Sequence, residues 1–337
     1  MIKIDHKAIS KKESITVDFF YTNAKKIAKL NLQNENVNLQ KFIFDQNLHR
    51  PGLALAGFVD LFSYKRVQVF GNTEMHYLAQ LDDSQKRKTL SRAFSFDLPC
   101  VILTDGNKPF PVLMDEANKH GIPVFVSSHA TTKLVYLVSD FLDDQFAPRI
   151  SLHGSFVDVY GVGILFVGKS GIGKSEVALD LVERGHRLVA DDIIIFTKKG
   201  EGILMGTGTN LAKHFLEIRG LGIIDISKMF GIRAIRFQKR LEIIVELEVW
   251  DEKGDYTRTG LDETAISILE VDVPYVKLPI FPGKNITVIS EVISLNYLLK
   301  HYGYDAAKEF QEKLNAELRN KKKGIQRGVD YFEHDFE

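Results

Sequence analysis

The chain has 337 residues, which favours two domains of about 130 and 200 residues over one. Its 45% hydrophobic and 26% charged residues are the mix of a folded globular protein. Forty-four basic and 44 acidic side chains give zero formal net charge, which excludes the long-range attraction of a general binder of nucleic acid or anionic membrane. The lone cysteine, Cys100, excludes an internal disulfide and a cysteine zinc cluster, and its expected role is that of a small buried apolar group.

In chain order, the first ten residues alternate polar and apolar types around Lys3, Asp5 and Lys7 and lack the apolar core of a signal peptide. No uncharged apolar run approaches membrane-spanning length, so a cytoplasmic protein is expected. The first region reads as a small α/β unit, with short apolar strands at 66–70, 99–104 and 123–127 between polar helical segments. Residues 50–58, from Arg50-Pro51-Gly52 to Gly57-Phe58, read as an apolar packing turn with no assigned chemistry. Leu134, Val138 and Leu142 recur every fourth residue and predict a helix over 131–144, closed by Pro148, that serves as a connector. Glycine-punctuated strands follow, which places the domain boundary near residue 130. A second amphipathic helix is predicted over 305–319, with Phe310, Leu314 and Leu318 on one stripe. No repeat or low-complexity segment interrupts this plan.

Residues 168–175 read Gly168-Lys169-Ser170-Gly171-Ile172-Gly173-Lys174-Ser175, two glycines five apart followed by Lys and Ser. That is the pattern of a phosphate-binding P-loop. The apolar run 162–167 before it suits a buried strand, and Ala178, Leu181 and Val182 after it recur at helical spacing until Gly185. A strand, a glycine loop and a helix in that order aim backbone N–H groups and a helix N-terminus at one point, where the anionic phosphate oxygens of a nucleoside triphosphate can sit. Lys174 would hold the β- and γ-phosphates, and the Ser175 hydroxyl would ligate Mg²⁺.

Residues 186–196 predict a strand with Asp191 and Asp192 in its middle. Two carboxylates in an apolar run are costly to bury without partners, which favours a metal or catalytic role. Adjacent strand residues point to opposite faces, so one of the pair is expected to face the phosphates and the other to have a supporting partner; spacing does not choose between them. His153 lies in 150–160, expected to pair with the P-loop strand, although a lone histidine is more often structural. Gly220 and Gly222, just after Glu217, predict a tight turn.

Taken together, these motifs resemble the bacterial HPr kinase/phosphorylase family. The stretches that carry the likeness are His153-Gly154-Ser155, Gly168 to Glu176, Gly185-His186-Arg187-Leu188-Val189-Ala190-Asp191-Asp192, and the segment from Leu216-Glu217-Ile218-Arg219-Gly220 to Asp225. The segment containing Arg258 agrees with an arginine position of that family. The likeness covers nearly the whole C-terminal domain, whereas the N-terminal domain matches in length and general pattern only.

The resemblance implies a smaller N-terminal α/β domain over 1–130, of assembly or regulatory role, followed over 131–337 by a P-loop kinase domain with a nucleotide core like that of phosphoenolpyruvate carboxykinases. It implies ATP-dependent phosphorylation of a serine on the phosphocarrier protein HPr, with the reverse reaction using inorganic phosphate and releasing pyrophosphate. Such an enzyme regulates the sugar phosphotransferase system and forms a hexamer. By position, Asp192 is implied as the base, with His153, Lys174 and Arg258 beside it and Ser175 and Glu217 as Mg²⁺ ligands. One acid that takes the serine proton in one direction and returns it in the other suits a reversible transfer. The chain departs from the family at Phe281-Pro282-Gly283-Lys284-Asn285, where two arginines are usual. Losing bidentate guanidinium contacts is expected to weaken phosphorolysis relative to kinase activity. Two rival readings are a P-loop enzyme acting on a small metabolite and a nucleotide sensor without turnover.

Overall fold

The protein is described by a computed structural model, which covers residues 9–200, 202–209, 213–251, 264–281 and 283–322. Contacts divide the chain into two units that meet in sequence between Arg149 and Ile150.

The first unit contains β1 (Ile15–Thr16), α1 (Val17–Ala24), β2 (Leu30–Leu32), β3 (Phe42–Ile43), β4 (Leu48–His49), α2 (Gly52–Ala56), β5 (Val67–Phe70), α3 (Asn72–Ala79), α4 (Asp83–Phe94), β6 (Val101–Leu103), α5 (Pro111–Lys119), β7 (Val124–Ser127) and α6 (Thr131–Phe146). Strands β4, β5, β6 and β7 run parallel in that order, and β2 closes the β7 edge antiparallel. Strand alternation sorts the core into two layers. Val67, Val69, Ile102 and Phe125 pack with residues of α1 and α6 on one face, while Phe70, Leu103 and Val124 pack with α3, α4 and α5 on the other. Both faces are therefore covered, as parallel strands require. Cys100 is buried in the first layer, and burial pushes its thiol far above the ordinary range. The expected turn at 50–58 buries Ala54 and Leu55 and ends at Gly57, left-handed at φ 115°.

The boundary expected near residue 130 is corrected by α6. The predicted stripe Leu134, Val138 and Leu142, extended by Phe146, is buried in the first unit's core against Phe20 and Ile102. The helix is thus a layer of the first unit, not a connector, and the division falls about twenty residues later. Helical periodicity identifies the helix but does not say which sheet its apolar face covers.

The second unit contains β8 (Arg149–Val159), β9 (Val162–Gly168), α7 (Lys174–Glu183), β10 (Arg187–Lys199), β11 (Ile203–Gly208), β12 (Phe215–Ile218), β13 (Gly222–Asp225), α8 (Ile226–Met229), β14 (Lys239–Arg240), β15 (Ile243–Val249), β16 (Thr264–Ile268), β17 (Val271–Ile280), α9 (Ile286–His301) and α10 (Ala306–Lys322). Eight strands form one sheet in the order β14-β11-β10-β8-β9-β15-β17-β16. Strands β8 and β9 pair antiparallel, as expected, through a two-residue turn at Tyr160 and Gly161, both left-handed at φ 51° and 85°. Strands β9, β15 and β17 run parallel. Val157, Ile164, Phe166 and Val245 pack against α7, while Phe156, Leu165, Ile244 and Tyr275 fill the opposite face.

Helices α7 and α9 are joined by a buried carboxylate. Arg184, at the end of α7, donates from Nε and Nη2 to Glu291 at 2.8 and 2.6 Å, and His186 Nε2 lies 3.0 Å from the same carboxylate. This clamp fixes the end of α7 remote from the glycine loop.

Candidate active site

Strand β9 runs into the predicted loop at Gly168, whose φ of 140° places its Cα against the β15 backbone. A Cβ there would lie 2.4 Å from the Leu247 carbonyl oxygen, so the approach requires glycine. Gly171 and Gly173 are left-handed at φ 81° and 103°, and Gly173 opens α7 with Lys174 at its first position. Ile172 is half-buried against the core below α7, which anchors the loop. Lys174 Nζ donates to the Gly168 and Lys169 carbonyls at 3.2 and 3.1 Å, so the ammonium lies over the loop.

The two adjacent aspartates meet different surroundings. Asp191 is 5% exposed. It accepts hydrogen bonds from the Ser155 hydroxyl at Oδ1 and from the Ser175 hydroxyl at Oδ2, the latter at 2.9 Å. Burial pushes its carboxyl above the ordinary range, and these hydroxyls with the Glu217 and Asp192 backbone N–H groups act in the opposite direction. The Asp192 side chain is exposed, and its Oδ1 lies 3.4 Å from His153 Nδ1.

Simple alternation would send the two aspartates to opposite faces, yet both line one cleft of about 420 Å³ with His153, Lys174, Ser175 and Glu217. The physical reason is local: Asp192 is left-handed, φ 67°, so the pleat of β10 breaks at this residue. The expectation of opposite faces is therefore corrected.

The cleft brings together every described residue carried over as catalytic or metal-binding, and Gly168, Ser170, Gly171 and Gly173 also line it. Lys169 and Ile172 contribute a carbonyl acceptor and an anchor instead. Arg258 lies outside the described residues. Strands β12 and β13 form the expected tight hairpin, with Ile218 opposite Gly222 and left-handed Gly220 and Gly222 in the turn.

Sequence reasoning missed Arg219, whose Nη2 donates to the Ser170 hydroxyl at 3.0 Å and whose guanidinium abuts Gly171. Its spacing of two from Glu217 was an available signal, because strand-like residues two apart share a face. Ser155 was also missed; its spacing of two from His153 carried the same signal.

At the segment that departs from the family, Lys284 Nζ donates to the Pro279 carbonyl at 3.0 Å and stands 5.2 Å from the Phe281 ring centroid. Burial lowers the pKa of this ammonium. Pro282 lies outside the described residues.

A glycine loop between strand and helix, with a lysine, a serine and carboxylates lining the same cleft, belongs to a mixed α/β protein, and such a loop is an arrangement suited to phosphate groups. Two family models match: HPr Serine kinase N terminus over residues 15–142 and HPr Serine kinase C-terminal domain over residues 144–314. The HPr kinase/phosphorylase of Chloroherpeton thalassium is 54% identical, covering 97% of this chain and 98% of its own. That of Prosthecochloris aestuarii is 51% identical over the full length of both. The solved HPr(Ser) kinase/phosphatase of Coxiella burnetii is 35% identical over 48% of this chain and 98% of its own, with a TM-score of 0.43. The chain belongs to the HPr kinase/phosphorylase family.

Proposed function

We propose that this protein transfers the terminal phosphoryl group of ATP to a serine of HPr and catalyses the reverse phosphorolysis, in which inorganic phosphate takes the group and pyrophosphate leaves. The observation that carries this reading is the placement of Asp192 and His153 in the same cleft as Lys174 and the glycine loop. The carboxylate of Asp192 accepts the proton of the serine hydroxyl as that oxygen attacks, and returns it when the phosphoserine is cleaved. His153 orients that carboxylate from β8. Lys174 and the loop N–H groups hold the phosphate oxygens in line, and Arg258 adds a second cation by family position.

Ser175, Asp191 and Glu217 present only oxygen donors to the cleft, the set that a hard divalent cation takes. Among the described residues no group of three or more His, Cys, Asp or Glu forms a ready-made metal cage. This suits Mg²⁺, which uses one or two carboxylates and completes its shell with substrate phosphates and water. Ser175 and Glu217 would hold it, and when bound it neutralises charge on the phosphates. A nucleotide core like that of phosphoenolpyruvate carboxykinases, hexameric assembly and a cytoplasmic location complete the reading and rest on family membership. No described helix is long and apolar enough to cross a membrane.

The test is transfer of labelled γ-phosphate from ATP to purified HPr with Mg²⁺, comparing wild type with Asp192→Asn. Wild type should transfer, and the variant should fall by about 10²–10⁴-fold while still binding ATP. ATP binding without any transfer to HPr by wild type would sink the proposal.

A further inference from the structure

We infer that Ser155 is a positioning residue for the divalent cation: through Asp191, its hydroxyl aims the lone pairs of Ser175 into the cleft. The inference rests on the phosphoryl-transfer reading above and extends it to a residue that touches neither substrate nor metal.

Ser155 is fully buried on β8, two residues from His153 and on the same side of the strand. Between them, Gly154 faces the other way, and a Cβ there would lie 2.3 Å from the Phe166 carbonyl oxygen. The tight approach of β8 to β9 thus fixes where Ser155 stands. Its hydroxyl donates to Asp191 Oδ1, while Ser175, in the first turn of α7, donates to Oδ2. One carboxylate is thereby gripped at both oxygens by hydroxyls from two different elements.

A serine hydroxyl has one proton and two lone pairs. Because Ser175 gives its proton to Asp191, its lone pairs are left for other partners, and Ser175 lines the cleft. The direction is only as fixed as the carboxylate plane, and the terminal torsion of an aspartate is broad. Ser155 holds Oδ1 of that carboxylate alongside the Glu217 and Asp192 backbone N–H groups. Without its hydroxyl the carboxylate is held less tightly, and Ser175 is freer to swing its proton toward the place a cation would take.

The experiment uses the full chain and Mn²⁺ as the probe, with free Mn²⁺ followed by electron paramagnetic resonance in the presence of ADP. Ser155→Ala is compared with wild type and with Ser155→Thr, which keeps the hydroxyl. Loss of such an outer contact typically weakens metal binding by about 10–100-fold. The expected result is a Mn²⁺ affinity at least tenfold weaker in Ser155→Ala and largely recovered in Ser155→Thr. ADP binding without metal should stay near wild type, the melting temperature should fall by only a few degrees, the cost of one hydrogen bond to a carboxylate, and the apparent KM for Mg²⁺ should move more than kcat.

Unchanged Mn²⁺ affinity in Ser155→Ala would overturn the inference. So would equal loss in both variants with a lowered melting temperature, since packing rather than the hydroxyl would then be responsible. Failure of wild type to bind Mn²⁺ with ADP would overturn it as well. If wild type binds Mn²⁺ and shows the Ser155 dependence but transfers nothing to HPr, the functional reading fails and the positioning role of Ser155 stands.

Discussion

Asp192 occupies left-handed backbone, φ 67°, a region that costs most side chains about 1–2 kcal/mol and that Asn and Asp tolerate best. This decides how its role is tested. Asp192→Asn removes the proposed base while keeping a side chain suited to the turn, so its melting temperature should stay close to wild type as transfer collapses. Asp192→Ala should lose about 1 kcal/mol of stability besides, and a variant series in which Ala melts at or above Asn would contradict that account. Lys284 allows a test of the proposed reverse direction. Its ammonium is engaged by the Pro279 carbonyl beside the Phe281 ring, and a lysine offers phosphate a point charge where an arginine offers a fork. Phosphate-dependent release of pyrophosphate from phosphorylated HPr should therefore be slow relative to the kinase direction, and Phe281→Arg with Lys284→Arg should raise that ratio. Release that already matches the kinase rate in wild type would refute the expectation.

The glycine loop and the α7–α9 clamp make the next predictions, because each depends on how elements are held together. Gly171→Ala places a side chain at φ 81°, adding strain of about 1–3 kcal/mol, and its methyl would displace the Arg219 guanidinium from the loop. ATP affinity measured by calorimetry should fall about tenfold or more, since 1.4 kcal/mol is a factor of ten. At the other end of α7, hydrogen bonds from Arg184 hold the Glu291 carboxyl below the usual carboxylate range, against burial and with help from His186. A carboxyl whose folded pKa is depressed stabilises fully above its unfolded pKa, and the contribution is lost as pH falls through the folded value. The melting temperature should therefore drop on acidification below about pH 4.5. Glu291→Gln should melt about 2–4 °C lower at neutral pH, the shift of roughly 1 kcal/mol in a unit of this size, and should lose less on acidification. Equal acid sensitivity in both would remove Glu291 from the account.

At the scale of elements, much of the protein was legible in its sequence. The loop, its strand and its helix were read from glycine spacing and apolar periodicity because backbone sterics and helix burial leave few alternatives there. The two aspartates were recognised as a pair, but the left-handed break that brings both to one cleft has no periodic signal. Ser155 escaped for a related reason: a serine in a strand has no value until the carboxylate it meets, 36 residues away, is known.

For the whole molecule, the zero net charge gives no long-range pull toward polyanions, while the position of the unit boundary depended on a packing fact. Helix α6 covers the first unit's sheet, and its apolar stripe alone was equally compatible with the sheet that follows it. The two units accordingly have distinct cores. Leu90 is fully buried among Phe70, Leu78, Phe94 and Leu113 of the first unit, whereas the loop helix packs through Val177, Ala178 and Leu181 into a different cluster. Leu90→Ala should cost about 2–5 kcal/mol, the usual range for deleting a buried leucine side chain, and the glycine loop and the aspartate pair belong to the other unit. Stability measured by denaturant should fall by that amount while the Kd for ATP in the remaining folded protein stays unchanged. A matching loss of ATP affinity would mean that the first unit's core supports the phosphate loop directly, and the division drawn between Arg149 and Ile150 would then fail as a description of how stability is partitioned.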